Sequence, residues 1–457
     1  MATLKRLIIM PKVYIETYGC QMNVADSEMV ASILEGGGFE VTREMQEADL
    51  ILVNTCSVRE NAETRIYGRL GVFKQVRKKK PTLQIGVIGC MAERVQETLI
   101  REHGVNLVAG PDSYRRLPEL ITTSLQSGEA MDVDLSKDET YAGICPTRLE
   151  SNGISGFVSI TRGCNNFCTY CIVPFTRGRE RSRDPLDILN EVKDLHERGY
   201  REVTLLGQNV NSYHWLNSRT DPEAKVKSET GFADLLEMVA LSAPALRIRF
   251  TTSHPKDMSD ETLKVMSRHL NICRHIHLPV QSGSSEVLKR MNRKYNRETY
   301  LDRIRAIREI LPGCGITTDI FCGFPGETED DHQASLSLMQ EVRFDGAFMF
   351  KYSERPGTYA AEHLKDDVPE VEKARRLQEI IKLQNRISLE SNQSDLGKTF
   401  EVLAEGSSKK SDMRLFGKTP QGKTVVFPKE DHSPGDLVRV TVTGCTSATL
   451  TGDLARV

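Results

Sequence analysis

Residues 163–171 read Gly-Cys-Asn-Asn-Phe-Cys-Thr-Tyr-Cys, and no other stretch restricts the chain so tightly. Cysteines spaced C-x3-C-x2-C put three thiolates on one short loop, so the backbone there has to curl around a small cage. A cubane iron–sulfur cluster ordinarily takes four protein ligands, and three leave one iron open to a substrate or cofactor. Structural zinc prefers four closed ligands, usually as two separated pairs, and no fourth Cys or His stands at a fitting distance. Cys164, Cys168 and Cys171 are therefore expected to hold a [4Fe–4S] cluster with one open iron.

A second set of cysteines is dispersed but follows a rule. Val13 to Tyr18 reads as a strand and is followed by Gly19-Cys20; Leu50-Ile51-Leu52-Val53 runs into Asn54-Thr55-Cys56; Ile85-Gly86-Val87-Ile88 runs into Gly89-Cys90. Continuous apolar runs of this length suit parallel strands buried on both faces. With Val105 to Val108 as a fourth strand and helical patterns over 26–34 and 116–125, the first 145 residues read as a doubly wound α/β domain. Ligands in such sheets gather outside the carboxyl ends of the strands. Cys20, Cys56 and Cys90, about 35 residues apart, then converge on one edge as a second iron–sulfur site.

From Gly156 to Gly357 strand and helix signals alternate again. Strands are expected at 157–160, 203–206, 246–250, 275–280, 316–321 and 347–352, with helices at 232–241, 260–270, 297–310 and 328–342. Asp184-Pro185 opens a further helix, with Pro at its first position, and Gly199 stops it. Six such units make a partial TIM-type (β/α)6 barrel, with function at the strands' C-terminal ends. Polar clusters stand there, and Gln208, Asn209, Ser253 and Gln281 are the candidates for holding a polar cofactor. Residues 127–152 read as a linker with room for one strand, 216–230 as a mobile surface loop, and 366–394 as a long amphipathic helix. After Gly397 the grammar changes to short strands and Gly-rich turns, expected at 399–403, 423–427, 437–442 and 448–450. That is the pattern of a small closed β-barrel of the oligonucleotide-binding type. The expected domains are 1–145, 150–390 and 395–457.

A net charge of −2 indicates no nucleic-acid partner by itself, so any such surface must be a local patch. Arg177, Arg179, Arg181 and Arg183 follow the cysteine loop and are candidates for phosphate contacts, or for pairs with Glu180 or Asp184. The run Arg77-Lys78-Lys79-Lys80 reads as a solvated helix end, where positive charge suits the dipole. Metal-type spacing among eleven cysteines fits a reducing compartment. No stretch approaches the roughly 18 apolar residues that span a bilayer. A cytoplasmic monomer without a membrane partner is expected.

The loop resembles the radical S-adenosylmethionine (SAM) signature. Together with the strand-end cysteines and the terminal barrel, nearly the whole chain is similar to the radical SAM methylthiotransferases, which carry a TRAM domain. Thr17-Tyr18-Gly19-Cys20-Gln21-Met22-Asn23, Asn54-Thr55-Cys56-Ser57-Val58-Arg59-Glu60-Asn61-Ala62, Tyr170-Cys171-Ile172-Val173-Pro174, Arg177-Gly178-Arg179-Glu180 and Gly207-Gln208-Asn209-Val210-Asn211 resemble the MiaB-type tRNA branch. The resemblance implies SAM and two [4Fe–4S] clusters. SAM on the cluster of Cys164, Cys168 and Cys171 would be cleaved to a 5′-deoxyadenosyl radical that takes hydrogen from C2 of isopentenyladenosine 37, beside the tRNA anticodon. The cluster of Cys20, Cys56 and Cys90 would hold the sulfur, and a second SAM would supply the methyl group. A flavodoxin or ferredoxin would be the reductant; the sulfur donor is left open. Rival readings are a sister methylthiotransferase acting on threonylcarbamoyladenosine tRNA or a ribosomal-protein aspartate, and a non-enzymatic RNA-binding iron–sulfur protein.

Overall fold

The computed structural model describes residues 10–57, 60–149, 152–216 and 229–455. Two compact units emerge. One comprises the described part of Met1–Glu150 with Arg162–Asn165 and Ile172–Arg181; the other comprises the described part of Ser151–Thr161, Asn166–Cys171 and Ser182–Val457.

The first unit is built on a parallel sheet of β1 (Lys12–Thr17), β2 (Glu40–Thr42), β3 (Leu50–Thr55), β4 (Gln84–Gly89), β5 (Leu107–Ala109) and β6 (Ala130–Asp132). Its spatial order is β2-β1-β3-β4-β5-β6. All six residues of β3 are buried because helices cover both faces. Leu50 and Leu52 pack against helices Gln21–Gly36 and Leu117–Ser127, whereas Ile51 and Val53 pack against helix Glu60–Lys79 through Ile66, Leu70 and Phe73. Each such aliphatic side chain contributes about 1.5–3 kcal/mol by leaving water. The strand order reverses between β1 and β3, the topological switch point at which such sheets bind ligands. β2 and β6 have three residues each, too short for a readable period, and β6 is the strand allowed for in the 127–152 segment.

The second unit contains six parallel strands: Ser155–Ser159, Glu202–Leu206, Arg247–Thr251, His275–His277, Gly315–Cys322 and Gly346–Lys351. They form two three-stranded halves, joined by a parallel bridge from Ile248 to Ile272 and by Ser253 N–H donating to His277 O at 3.2 Å. The expected (β/α)6 partial barrel is present. Ile248, Ile276, Ile316 and Ile320 point outward into one core with the surrounding helices. The strand expected over 275–280 stops at His277, because Pro279 has no N–H for the ladder. Asp184 caps helix Pro185–Glu197 by accepting from Leu186 N–H at 2.8 Å, as read from sequence. The amphipathic helix runs Glu370–Gln393, with Pro369 at its start. The insert expected to be a mobile loop lies mostly outside the described residues, between the paired strands His214–Leu216 and Glu229–Gly231.

The terminal barrel closes in the order Thr399–Ser408, Ser411–Lys418, Thr424–Pro428, Leu450–Leu454, Leu437–Cys445. Its second strand was not legible in sequence, because only Leu415 and Gly417 of that strand turn inward. This barrel sits at the strand starts of the (β/α)6 barrel. Arg247 donates to Lys418 O and Glu401 O at 3.1 and 2.9 Å, and Arg249 donates to Thr419 O at 2.8 Å. Gly315 has to be glycine here, since a Cβ would lie 2.2 Å from Gln421 O. Among the described residues no helix is long and apolar enough to cross a membrane.

Candidate metal centres and cofactor site

Cys20, Cys56 and Cys90 directly follow the adjacent parallel strands β1, β3 and β4 or the loops that leave them. Glycine lets these strand ends close together. A Cβ on Gly19 (φ 132°) would lie 2.5 Å from Cys56 Cβ, and one on Gly89 (φ 92°) would lie 2.5 Å from Asn54 Oδ1. Behind the thiols is a buried amide lattice. Asn23 Nδ2 donates to Asn54 Oδ1 and Thr55 O, at 2.9 and 3.0 Å, and Asn54 Nδ2 returns to Asn23 O at 2.8 Å. Cys20 Sγ lies 3.2 Å from Asn23 Oδ1. A hydrogen bond with Cys56, reinforced by the positive charge of Arg177, pushes the Cys20 thiol down to about 6. Burial pushes the Cys90 thiol up.

Arg177 changes the electrostatics of this trio. Its Nε donates to Cys90 Sγ at 3.1 Å and its Nη2 to Asp26 at 2.7 Å. Asp26 also accepts from Arg162 at 2.7 Å, and Arg181 pairs with Asp112 at 2.7 Å. All five side chains are buried. Burial alone would raise Asp26, but Arg162 and then Arg177 hold it below the usual carboxylate range. Three arginines against two aspartates leave one positive charge facing the thiols. A [4Fe–4S] core on three thiolates carries net negative charge, so the donor set and its surroundings fit such a cluster. The phosphate role considered for Arg177, Arg181 and Arg183 does not match their positions. The first two close this network, and Arg183 pairs with Glu191 at 2.8 Å; of the four, only Arg179 is exposed. At the end of helix Glu60–Lys79, Lys78 and Lys79 are exposed as expected, while Arg77 donates to Gly104 O and Asn106.

Replacing Asp26 with asparagine strands two buried guanidiniums. The expected cost is about 3–5 kcal/mol of stability, read as a lower urea midpoint for the cluster-free chain at unchanged slope.

The C-x3-C-x2-C loop is anchored at both ends. At its start, Gly163 (φ 75°) brings the chain so near residues 178–179 that a Cβ would meet Arg179 O at 2.1 Å, and Cys164 N–H donates to Gly178 O at 3.1 Å. In its second half, Thr169 N–H donates to Met291 O at 3.1 Å, Thr169 Oγ1 to Arg290 O at 3.0 Å, and Asn292 Nδ2 to Phe167 O at 2.9 Å. Cys168 Sγ accepts from the buried Arg293 at 3.3 Å. The segment 290–293 was missed in the sequence reading, since its positions follow no helical or strand period.

At the barrel strand ends, Gln208 Oε1, Asn209 Oδ1 and Ser253 Oγ are buried with no hydrogen-bond partner, as are Thr252 Oγ1 and His254 Nε2. Each such group costs on the order of 1–3 kcal/mol if nothing binds it, so their gathering marks a place for a polar ligand. The loops that carry them are tied together: Gly207 N–H donates to Thr251 O, and Val210 N–H to Thr252 O, at 3.1 and 3.0 Å. Asn209 Nδ2 donates to Asp257 at 2.6 Å, which leaves Oδ1 as an acceptor toward the ligand. Gln281 is buried in a left-handed turn at φ 70° after the fourth strand, with its backbone paired to Asp319 and Phe321.

His254, next to Ser253, is one of these orphans. Its Nδ1 accepts from Lys256 N–H at 3.3 Å, so Nε2 carries the proton. Burial, then Arg293 and Lys256, push this imidazole down to about 2. Because the folded value lies below the unfolded value near 6.5, stability is full above pH 6.5 and falls as pH drops toward 2. The expected slope is up to about 1.4 kcal/mol per pH unit. Denaturant titrations of the cluster-free chain between pH 7.5 and 5 should show this slope, reduced in His254→Gln.

Comparisons with known proteins agree with this layout. Residues 12–110 match the uncharacterized protein family UPF0004, residues 158–339 the radical SAM superfamily and residues 393–455 the TRAM domain. The tRNA-2-methylthio-N(6)-dimethylallyladenosine synthase of Bacteroides thetaiotaomicron is 61% identical over 97% of this chain and 96% of its own length. Those of Parabacteroides distasonis and Porphyromonas gingivalis are 60% and 57% identical, each over 97% of this chain and 95% of their own. Among solved structures, the radical SAM methyltransferase TsrM of Kitasatospora setae, with tryptophan and a SAM analogue bound, superposes with a TM-score of 0.57 at 15% identity over 77% of this chain and 75% of that one. This last likeness is one of fold.

Proposed function

The chain belongs to the tRNA-2-methylthio-N(6)-dimethylallyladenosine synthase family of radical SAM methylthiotransferases, and from that premise we propose that two three-cysteine sites divide the work of one reaction. The enzyme adds a methylthio group at C2 of N6-dimethylallyladenosine in tRNA, using SAM and a [4Fe–4S] cluster. In our reading Cys164, Cys168 and Cys171 hold that cluster, Cys20, Cys56 and Cys90 hold a second one that carries the sulfur, and the target is adenine 37 in the anticodon loop. When bound, the clusters and SAM supply the radical and sulfur chemistry that an unactivated C–H demands and acid–base side chains do not.

The residues of the chain prepare the sites for it. Asn209, fixed by Asp257, turns an oxygen toward the ligand, and Gln208 and Ser253 add buried polar atoms beside it. Acceptors suit the amino group and ribose hydroxyls of SAM. Gln281 completes the set from the next strand end. The Arg162–Asp26–Arg177 network keeps positive charge on the second trio, of which Cys56 and Cys90 are buried. A flavodoxin or ferredoxin is the proposed reductant, and the enzyme is proposed to work as a cytoplasmic monomer.

The observation that carries this reading is the convergence of Cys20, Cys56 and Cys90 at the ends of adjacent strands, with Arg177 on Cys90. It is tested by nucleoside mass spectrometry of tRNA from a bacterium lacking its own synthase and expressing this chain. Restored 2-methylthio-dimethylallyladenosine is expected. Its absence, or 2-methylthio on threonylcarbamoyladenosine instead, contradicts the assignment.

A further inference from the structure

Cysteine thiolates in a cluster are tuned by the hydrogen bonds and charges that reach their sulfurs. Arg293 reaches Cys168 from a turn shaped for that purpose. The residues on either side of it, Asn292 and Lys294, have φ of 58° and 61°. A left-handed lysine is uncommon and persists only where the surroundings impose it. The two turns aim the Arg293 side chain inward, where it is 5% exposed.

Each face of the guanidinium is occupied. Nε donates to Tyr295 Oη at 3.0 Å and Nη2 to Pro279 O at 3.1 Å. Nη1 donates to Cys168 Sγ at 3.3 Å and reaches Tyr170 Oη at 3.5 Å. Tyr295 is itself pinned to Val280 O at 2.8 Å, and the guanidinium lies 5.2 Å from its ring centroid. Among the described residues, no carboxylate forms an ion pair with Arg293. Arg177, which meets Cys90 in the other unit, shares its charge with Asp26. Neighbouring residues also clamp the loop, since Arg290, Met291 and Asn292 bond Thr169 and Phe167. One segment therefore shapes the cysteine loop and places an unshared positive charge on one of its sulfurs.

We propose that Arg293 is a positioning residue for the radical-generating cluster: its N–H···S bond and uncompensated charge on Cys168 raise the cluster's reduction potential. The physical reason is that one-electron reduction makes the cluster more negative, and a buried cation stabilises that form preferentially. The inference rests on the reading that Cys164, Cys168 and Cys171 hold this cluster.

The test uses the full chain with Cys20, Cys56 and Cys90 replaced by alanine, so that only the loop's cluster is reconstituted anaerobically. Redox titration followed by electron paramagnetic resonance then compares this parent with Arg293→Gln and Arg293→Lys. At the parent's midpoint potential, Arg293→Gln is expected to lower the reduced-to-oxidised ratio at least tenfold, which is about 59 mV for one electron. Arg293→Lys, which keeps the charge, is expected to recover most of it. Full iron content with an unchanged midpoint in Arg293→Gln overturns the proposal. If that variant fails to assemble its cluster, the parent labelled with 15N-arginine decides: pulsed resonance of the reduced cluster should show a 15N coupling, and its absence overturns the proposal. Cys168→Ala separates this from its premise. A four-iron cluster retained there refutes the ligand assignment, whereas its loss together with an unmoved Arg293→Gln midpoint refutes only the role of Arg293.

Discussion

Alanine at Cys20, Cys56 or Cys90 should uncouple the reaction. Iron is expected to fall from about eight to about four atoms per chain, and methylthiolated tRNA by on the order of 10³-fold or more, a loss of at least about 4 kcal/mol of transition-state stabilisation. Cleavage of SAM to 5′-deoxyadenosine and methionine should continue at a comparable rate, because the loop proposed to hold the other cluster is untouched. The three thiols belong to adjacent strand ends, and the glycines beside them leave no room for compensating shifts. Liquid chromatography of both products from one anaerobic reaction measures the two halves together. Retention of eight irons and full methylthiolation in all three variants would remove the second site from the account.

Alanine at Cys164, Cys168 or Cys171 should have the opposite signature. About four irons remain, on the other trio, but 5′-deoxyadenosine and methylthio product both vanish, a loss on the order of 10⁴-fold or more. No side chain at the barrel mouth can substitute, since hydrogen removal from an unactivated carbon lies outside acid–base chemistry. A variant that lost methylthiolation yet still cleaved SAM would show that the loop is not the radical source. The two sets of substitutions thus give complementary patterns, and a structural or redox-sensing cluster predicts neither.

What could be read in the sequence was local. A buried parallel strand shows itself as an unbroken apolar run, and a cysteine one or two residues after the strand is automatically at the ligand-binding edge, so Cys56 after Leu50–Thr55 needed no structure. Residues whose meaning lies in a distant partner were hidden. Arg177 and Arg181 look like a phosphate-binding ladder in the sequence, whereas their carboxylates, Asp26 and Asp112, lie 151 and 69 positions away. Arg293 was invisible for a related reason. Its contact with Cys168 spans 125 positions and depends on two left-handed residues that leave no periodic trace. The strand Ser411–Lys418 was lost to polarity, because a small closed barrel turns most of that strand to solvent. Gln208, Asn209 and Ser253 were legible as polar residues at strand ends, but only the structure shows their oxygens buried and unpartnered.

The central claim is that the loop's cluster initiates chemistry at C2 of the dimethylallyladenosine and that the other trio completes it. The direct measurement is a single-turnover anaerobic reaction with tRNA carrying deuterium at C2 of that adenine, followed by mass spectrometry of 5′-deoxyadenosine. One deuterium in the 5′-deoxyadenosine, matched by methylthiolated product in the intact chain, is the predicted result. 5′-Deoxyadenosine without deuterium, formed alongside methylthiolated tRNA, would contradict it.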